Sequence, residues 1–415
     1  MNEESEKTYK IAKAKARRII RQSRKNCWHQ FVSTISCSTS SNEVWKKIKT
    51  VSGEIKSNTI TSLKTDQQLL TTPDTIAEHL GKTFASVSNS SNYDSEFLTY
   101  KLNIEKIPIE LEEQNPSDFN RPFSLIELRT ALATCKGSSA GPDEVHYHMI
   151  KNLPVAGFHY LLQIYNKIFT ERIFPDQWRE SIVVAIRKQN KNPLSPNNYR
   201  PISLTSCVCK ILEIMVNRRL MWYLEINKVL DPNQSGFRGY RNTMDNLSLL
   251  ETTIQQDFSR RECVVGIFFD LEKAYDMTWR FNIIRSLSKI GIRGNMLHFI
   301  INFLKNRSFR VLVENTFSSL FSQENGIPQG SVLSVTLFLI AINSIQQAFP
   351  EGVIEFSFAD DVAVIFHGKS KRAIENRLQL TLDRLSEWKT IPHAVAVLLE
   401  NFNCEPSVRH SISLG

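Results

Sequence analysis

Several things are missing from this 415-residue chain. Its seven cysteines (Cys27, Cys37, Cys135, Cys207, Cys209, Cys263 and Cys404) are odd in number, scattered, and contain no CxxC pair. This excludes a disulfide framework and a zinc-knuckle cluster, and it suits inert thiols in a reducing compartment. The longest apolar run, "VLSVTLFLIAI" (332–342), has 11 residues interrupted only by Ser and Thr, too short to span a bilayer. The opening "MNEESEKTYK" has no apolar segment of the secretory kind. No internal repeat is present. The expectation is a soluble or peripheral protein of the cytoplasm or nucleus, neither secreted nor membrane-spanning.

What is present is a chain of 41% hydrophobic and 22% charged residues, long enough for two or three domains with real cores. The net charge is +9. Residues 1–60 hold 13 Lys/Arg against 5 Asp/Glu and so carry +8 of it. From Lys10 to Lys25 there are eight basic residues and no acid. Lys10, Lys13, Arg17, Arg21 and Arg24 follow helical i, i+3, i+4 spacing, which predicts one basic stripe. Such a stripe is either a solvated face or a surface that tracks phosphates.

Along the chain, residues 86–120 are rich in Ser, Asn and Asp and read as a linker. Ser124 and Glu127 have capping-box spacing, which predicts a helix to about Lys136. Further helices are expected around 156–172, 205–230, 281–306 and 331–349. Strands are expected at 181–190, 262–271 and 308–315. Strands separated by helices indicate a mixed α+β core.

Two stretches carry chemistry. "FSFADDVAVIF" (Phe356–Phe366) sets Asp360 and Asp361 side by side within an apolar run, where unpaired charge would cost several kcal/mol as an order of magnitude. A hairpin resolves this, with strands 354–359 and 362–366 and a turn at Asp360–Asp361. Ninety residues earlier, "FFDLEKAYDMTW" (Phe268–Trp279) delivers Asp270 at the end of a second apolar strand. Alone, Asp270 reads as a helix N-cap. Opposite Asp360, it completes the arrangement that holds divalent metal between carboxylates. Between the two lies "ENGIPQGSVLSVTLFLIAIN" (324–343), in which Gly326, Pro328 and Gly330 predict a tight turn into a helix. Its N-terminus would favour phosphate or base contact. His146, His148 and His159 lack Cys partners and zinc-type spacing.

Taken in chain order, "FFDLEKAYDMTW", "GIPQGSVLSVTLFLIAIN" and "FSFADDVAVIF" resemble motifs A, B and C of reverse transcriptases, most closely those of jockey-like non-LTR (LINE-type) retrotransposons. "NPLSPNNYRPISL", "DPNQSGFRGYRNTMDNL", "KGSSAGPDEVHYHMIKNLP" and "FPDQWRESIVVAIRKQNKNP" resemble that group's upstream blocks. The resemblance implies a right-hand polymerase fold: fingers over 121–261, a palm with an antiparallel sheet flanked by helices over 262–389, and a basic helical extension over 1–85. Asp270, Asp360 and Asp361 would hold two Mg²⁺ ions, with Mn²⁺ as a substitute. Tyr275 would be the steric gate that selects deoxynucleotides, where the plainer role is core packing. A ring at 275 also argues against an RNA-copying RNA polymerase, which needs a small residue there. Gln329 and Gly330 would contact nucleotide and template, and Arg200 and Lys188 the triphosphate. The implied activity is RNA-directed DNA synthesis from a primer 3′-hydroxyl, with RNA template, DNA primer and deoxynucleoside triphosphates as partners and oligomeric state left open. After Lys389 the resemblance stops. Residues 390–415 match neither the family's lysine block nor its thumb, so the expectation is a C-terminally truncated copy without a thumb. The alternative is an inactive copy that retains only nucleic-acid binding. Met277, Gly239 and Tyr240 are smaller departures from the family pattern.

Overall fold

The computed structural model describes residues 3–34, 48, 60–65, 68–137, 139–271, 273–388, 395–401 and 410–412. The chain divides into two units, Met1–Thr59 and Ile60–Gly415. In the first, helix α1 runs from Glu3 to Thr34. Lys13, Arg17 and Arg21 are exposed on it. The side chains of Lys10 and Arg24 lie outside the described residues.

The second unit begins with β1 (Leu63–Lys64) and β2 (Leu69–Leu70), followed by α2 (Pro73–Val87) and α3 (Ser95–Ile104). Helices α4 (Leu125–Thr134), α5 (Tyr147–Lys151) and α6 (Val155–Thr170) precede strands β3 (Glu180–Arg187) and β4 (Tyr199–Leu204). Then come α7 (Cys207–Ile226), α8 (Thr243–Ser259), β5 (Cys263–Leu271), and the helices α9 (Ala274–Met277), α10 (Arg280–Lys289) and α11 (Gly294–Leu304). Strands β6 (Ser308–Val313), β7 (Thr316–Phe317) and β8 (Phe321–Ser322) lead to α12 (Val332–Ile342). The remainder is β9 (Ile354–Phe358), β10 (Asp361–Gly368), α13 (Lys371–Glu387), β11 (Val395–Asn401) and β12 (His410–Ile412). The α+β expectation agrees with this. The single amphipathic segment expected at 281–306 is two helices, broken where Gly291 and Gly294 take positive φ (90° and 67°).

One sheet has the order β12-β11-β5-β10-β9 and is antiparallel throughout. Along β10, Val362, Val364 and Phe366 join Ile374 and Leu385 of α13 on one face, while Ile365 packs with Val264, Leu250 and Ile254 toward α8 on the other. This period-two alternation puts a helix on each face, which is why "DVAVIFHG" is apolar at nearly every position. The other sheet, β4-β3-β6-β7 with β8 beside β6, contains one parallel pair, β3 with β6. The largest core lies among α4, α6, α7, α10, α11 and α12. Nine of the eleven residues of α12 are buried, as a helix apolar on all sides requires.

Three expected boundaries change. Residues 60–85 do not belong with the basic extension: Ile76, Ala77, Leu80 and Phe84 of α2 cover the β3–β6 sheet, packing on Val183, Val311 and Val313. The polar 86–120 stretch is no open linker. Tyr93 and Phe97 are buried against Met277 and Trp279, the Tyr93 hydroxyl donates to the Met277 carbonyl (3.1 Å), and the Trp279 indole donates to Glu105 (2.8 Å). Two of its polar residues are caps: Asn89 and Asp94 accept from the backbone N–H groups of Ser91 and Phe97. Residues 308–322, expected with the 262–389 segment, join the sheet of β3 instead, β6 pairing with β3 and β7 and β8 with β6. The capping box at Ser124 and Glu127 forms as expected. The expected unrelated tail, 390–415, lies largely outside the described residues, and within it the β11 backbone pairs with β5.

Candidate active site

The β9–β10 hairpin turns at Ala359 and Asp360, one residue earlier than expected, and Asp361 is already the first residue of β10, paired with Phe358. Ala359 has φ +57°, a conformation non-glycine residues rarely hold. It is kept there from outside the hairpin. The buried Gln234 amide accepts from the Ala359 N–H (2.9 Å) and donates to its carbonyl (3.2 Å). Gly236 lies so close to the Ala359 backbone that a Cβ would collide with it. Asn233 and Ser235 complete the contact by exchanging backbone hydrogen bonds with Ser357. On the other side of β10, Asp361 is in direct register with Asp270 of β5. Directly opposed residues of an antiparallel pair have Cα atoms about 4.5–5.5 Å apart. Asp360 is half-buried and Asp361 exposed. The Asp270 side chain lies outside the described residues.

Asp360 lines a cleft of about 550 Å³ together with Lys188, Arg200, Lys273, Tyr275 and Gln329. A match to the family model for reverse transcriptase (RNA-dependent DNA polymerase) spans residues 186–393, just over half the chain, and takes in these six cleft residues and both carboxylate strands. The chain belongs to the reverse transcriptase family. It is 29% identical over 285 residues to the probable RNA-directed DNA polymerase from transposon BS of Drosophila melanogaster, covering 66% of this chain and 31% of that one. To the RNA-directed DNA polymerase from mobile element jockey of the same fly it is 28% identical over 312 residues, covering 72% and 34%. A Pol polyprotein from the type-1 retrotransposable element R1 of Bradysia coprophila is 23% identical over 387 residues, covering 92% and 36%. The chain thus spans about a third of the length of these curated relatives. The resemblance to jockey-like elements holds, and so does the mixed polymerase fold of palm and fingers that the family implies.

Within this site Tyr275 does two things. Its ring stacks on Phe338 of α12 (centroids 4.4 Å apart, planes at 17°), and it also lines the cleft. Burial, and then the charge of Asp360, holds its hydroxyl protonated well above the usual tyrosine range. Next to it, Asp276 accepts a hydrogen bond from the Gln329 amide (3.0 Å). Burial raises the Asp276 carboxyl to about 6, against the opposing pull of Gln329, Lys273 and Lys188. Gln329 is therefore tied to the segment that carries Tyr275. Its carbonyl accepts from Ser203 of β4 (2.6 Å). At Gly330, φ is +125° and a Cβ would meet the Ser203 carbonyl at 2.5 Å, so only glycine fits. Arg200 is exposed on β4 and Lys188 half-buried just beyond β3.

One expectation is overturned. The N-terminus of α12 is not available for phosphate, because the fully buried Glu213 of α7 occupies it, accepting from the N–H groups of Val332 (2.9 Å) and Leu333 (3.2 Å) and from the Ser331 hydroxyl. Sequence reasoning missed Glu213, Gln234, Gly236 and Asp276. The string "DPNQSGF" contained two of them, but nothing local to it points at a turn 125 residues away.

Proposed function

We propose that the chain is the polymerase part of a jockey-like non-LTR retrotransposon protein, adding deoxynucleotides to a primer 3′-hydroxyl on an RNA template. The observation that carries this is the direct register of Asp361 with Asp270 beside a cleft that Asp360 shares with Lys188, Arg200 and Lys273. Asp270, Asp360 and Asp361 occupy adjacent positions at one end of the sheet and offer only carboxylate oxygens, the hard donors that suit Mg²⁺. Two such ions, when bound, would activate the attacking hydroxyl and neutralise the leaving pyrophosphate. The protein's own share is positioning and charge. Lys188, Arg200 and Lys273 would meet the triphosphate. Tyr275, fixed in its plane by Phe338, would bar a ribose 2′-hydroxyl. Gln329, held by Asp276, would define the position of the incoming base. The exposed Lys13, Arg17 and Arg21 would contact nucleic-acid phosphates without reading sequence. Scattered thiols favour a reducing, intracellular setting.

Primer extension on an oligo(rA)·oligo(dT) substrate tests the proposal. Mg²⁺-dependent incorporation of dTTP is expected, with loss in Asp360→Asn and, in Tyr275→Ala, gain of ribonucleotide incorporation. Binding of the substrate without any extension by the wild type would overturn it.

A further inference from the structure

We propose that Asp257, Glu262 and His367 form a second metal site, closed and structural, for a divalent transition ion of the zinc class. It is separate from the carboxylate centre. His367 lies six residues along β10 from Asp361, about 20 Å at the ~3.3 Å rise of a strand. Three elements converge there: Asp257 in the last turn of α8, Glu262 at the entry to β5, and His367 near the end of β10.

The spacing fits coordination. The His367 Nδ1 atom is 3.2 Å from Asp257 Oδ1 and 3.3 Å from Glu262 Oε2, and a ligand atom from each of the three lies within 4.8 Å of the others. Two ligands at about 2.0–2.1 Å on a tetrahedral zinc stand about 3.3 Å apart. A second observation is independent of that spacing. Asp257 is 2% exposed; its Oδ1 atom is the one facing His367, and its Oδ2 atom, on the same carboxylate, is buried with no hydrogen-bond partner, a place that bidentate binding of the ion would fill. Buried carboxylates are ordinarily satisfied or bound to a metal. Among the groups facing the site, Arg260 lies 3.9 Å from the other Asp257 oxygen and is largely exposed, so it does not fill this place. Arg377 donates to the backbone carbonyl of His367 and leaves the ring free of it. Imidazole with two carboxylates selects Zn²⁺ and its neighbours over Mg²⁺. Glu262 and His367 are partly exposed, which leaves room for a water as fourth ligand. The bound ion would join α8 to the outer ends of both strands that carry the catalytic carboxylates.

The test is calorimetric titration of the chelator-treated full chain with Zn²⁺ alone, in excess Mg²⁺ to keep Zn²⁺ off the carboxylate-only centre. One equivalent is expected to bind, with a rise in melting temperature. Both are expected to be lost in His367→Gln and Asp257→Asn, with affinity weakened about 100-fold or more. Glu262→Gln, at a partly exposed position, covers the case in which the others fail to fold, and it should weaken binding by at least about tenfold. Absence of Zn²⁺ binding by the wild type, or unchanged binding in folded His367→Gln or Glu262→Gln, would overturn the proposal and leave a proton on Nδ1 bridging two carboxylates.

Discussion

Two turns meet the cleft, and they use buried side chains in parallel ways. At Ala359–Asp360 the backbone polar groups face inward and are satisfied by Gln234, so the carboxylate side chain is what reaches the cleft. At Gly326–Gly330 the helix N-terminus that follows is also satisfied from inside, by Glu213, and again a side chain, Gln329, lines the cleft. In both, a residue from a distant segment fills hydrogen-bonding capacity, in the first case of the turn itself and in the second of the helix start that follows it. The difference is in charge. The first turn presents carboxylates outward and is held by a neutral amide. The second presents an amide outward and is held by a carboxylate. Chemistry at this cleft is thus carried by side chains and not by exposed backbone N–H groups, so a substitution at a supporting residue should act differently from one at the cleft.

The largest expected effect removes the charge of the first turn. Asp360→Asn should lower the extension rate by on the order of 10³-fold or more while leaving the melting temperature nearly unchanged, since the amide is isosteric. Glu213→Ala should do the opposite. It strips a buried acceptor from two helix N–H groups and a hydroxyl, so a loss of about 3 kcal/mol in urea unfolding is expected. An unchanged midpoint would mean the two turns are not supported alike. Gly236→Ala forces a methyl into the Ala359 backbone and should cost about 1–3 kcal/mol along with activity.

Asp276 sharpens the comparison by pH. Its carboxyl is raised on folding from 3.8 to about 6, so the folded state holds the proton more tightly than the unfolded one. Its contribution to stability is therefore greatest below about pH 4 and is lost as pH rises toward 6. Asp276→Asn should flatten the stability profile across that window, read by thermal melts at successive pH values. The smallest effect is expected from neutralising Lys13, Arg17 and Arg21 together: the slope of log affinity against log salt should fall by up to about three units of charge, with little change in chemistry.

The sequence made the strands and their carboxylates legible because a continuous apolar run adjoins Asp in both, and the Ser124–Glu127 box needs only local spacing. What it hid were roles set across long separations. The polar 86–120 stretch looks like a linker until Asn89 and Asp94 are seen capping helices and Tyr93 packing near Trp279. Glu213 looks like an ordinary position on an amphipathic helix, and only the fold brings it under residues 331–333.

The grip of Gln234 on Ala359 also guards against sliding. A strand displaced by one residue exchanges its two faces. Movement of β9 and β10 by that step would carry Asp360 away from the cleft and set Ala359 or Asp361 in its place. Because both polar groups of Ala359 are tied to a segment outside the hairpin, and Ser357 is tied to Asn233 and Ser235, such a shift must break four hydrogen bonds at once. That same segment occupies the outer edge of β9 at Ser357, which denies a second chain that pairing position.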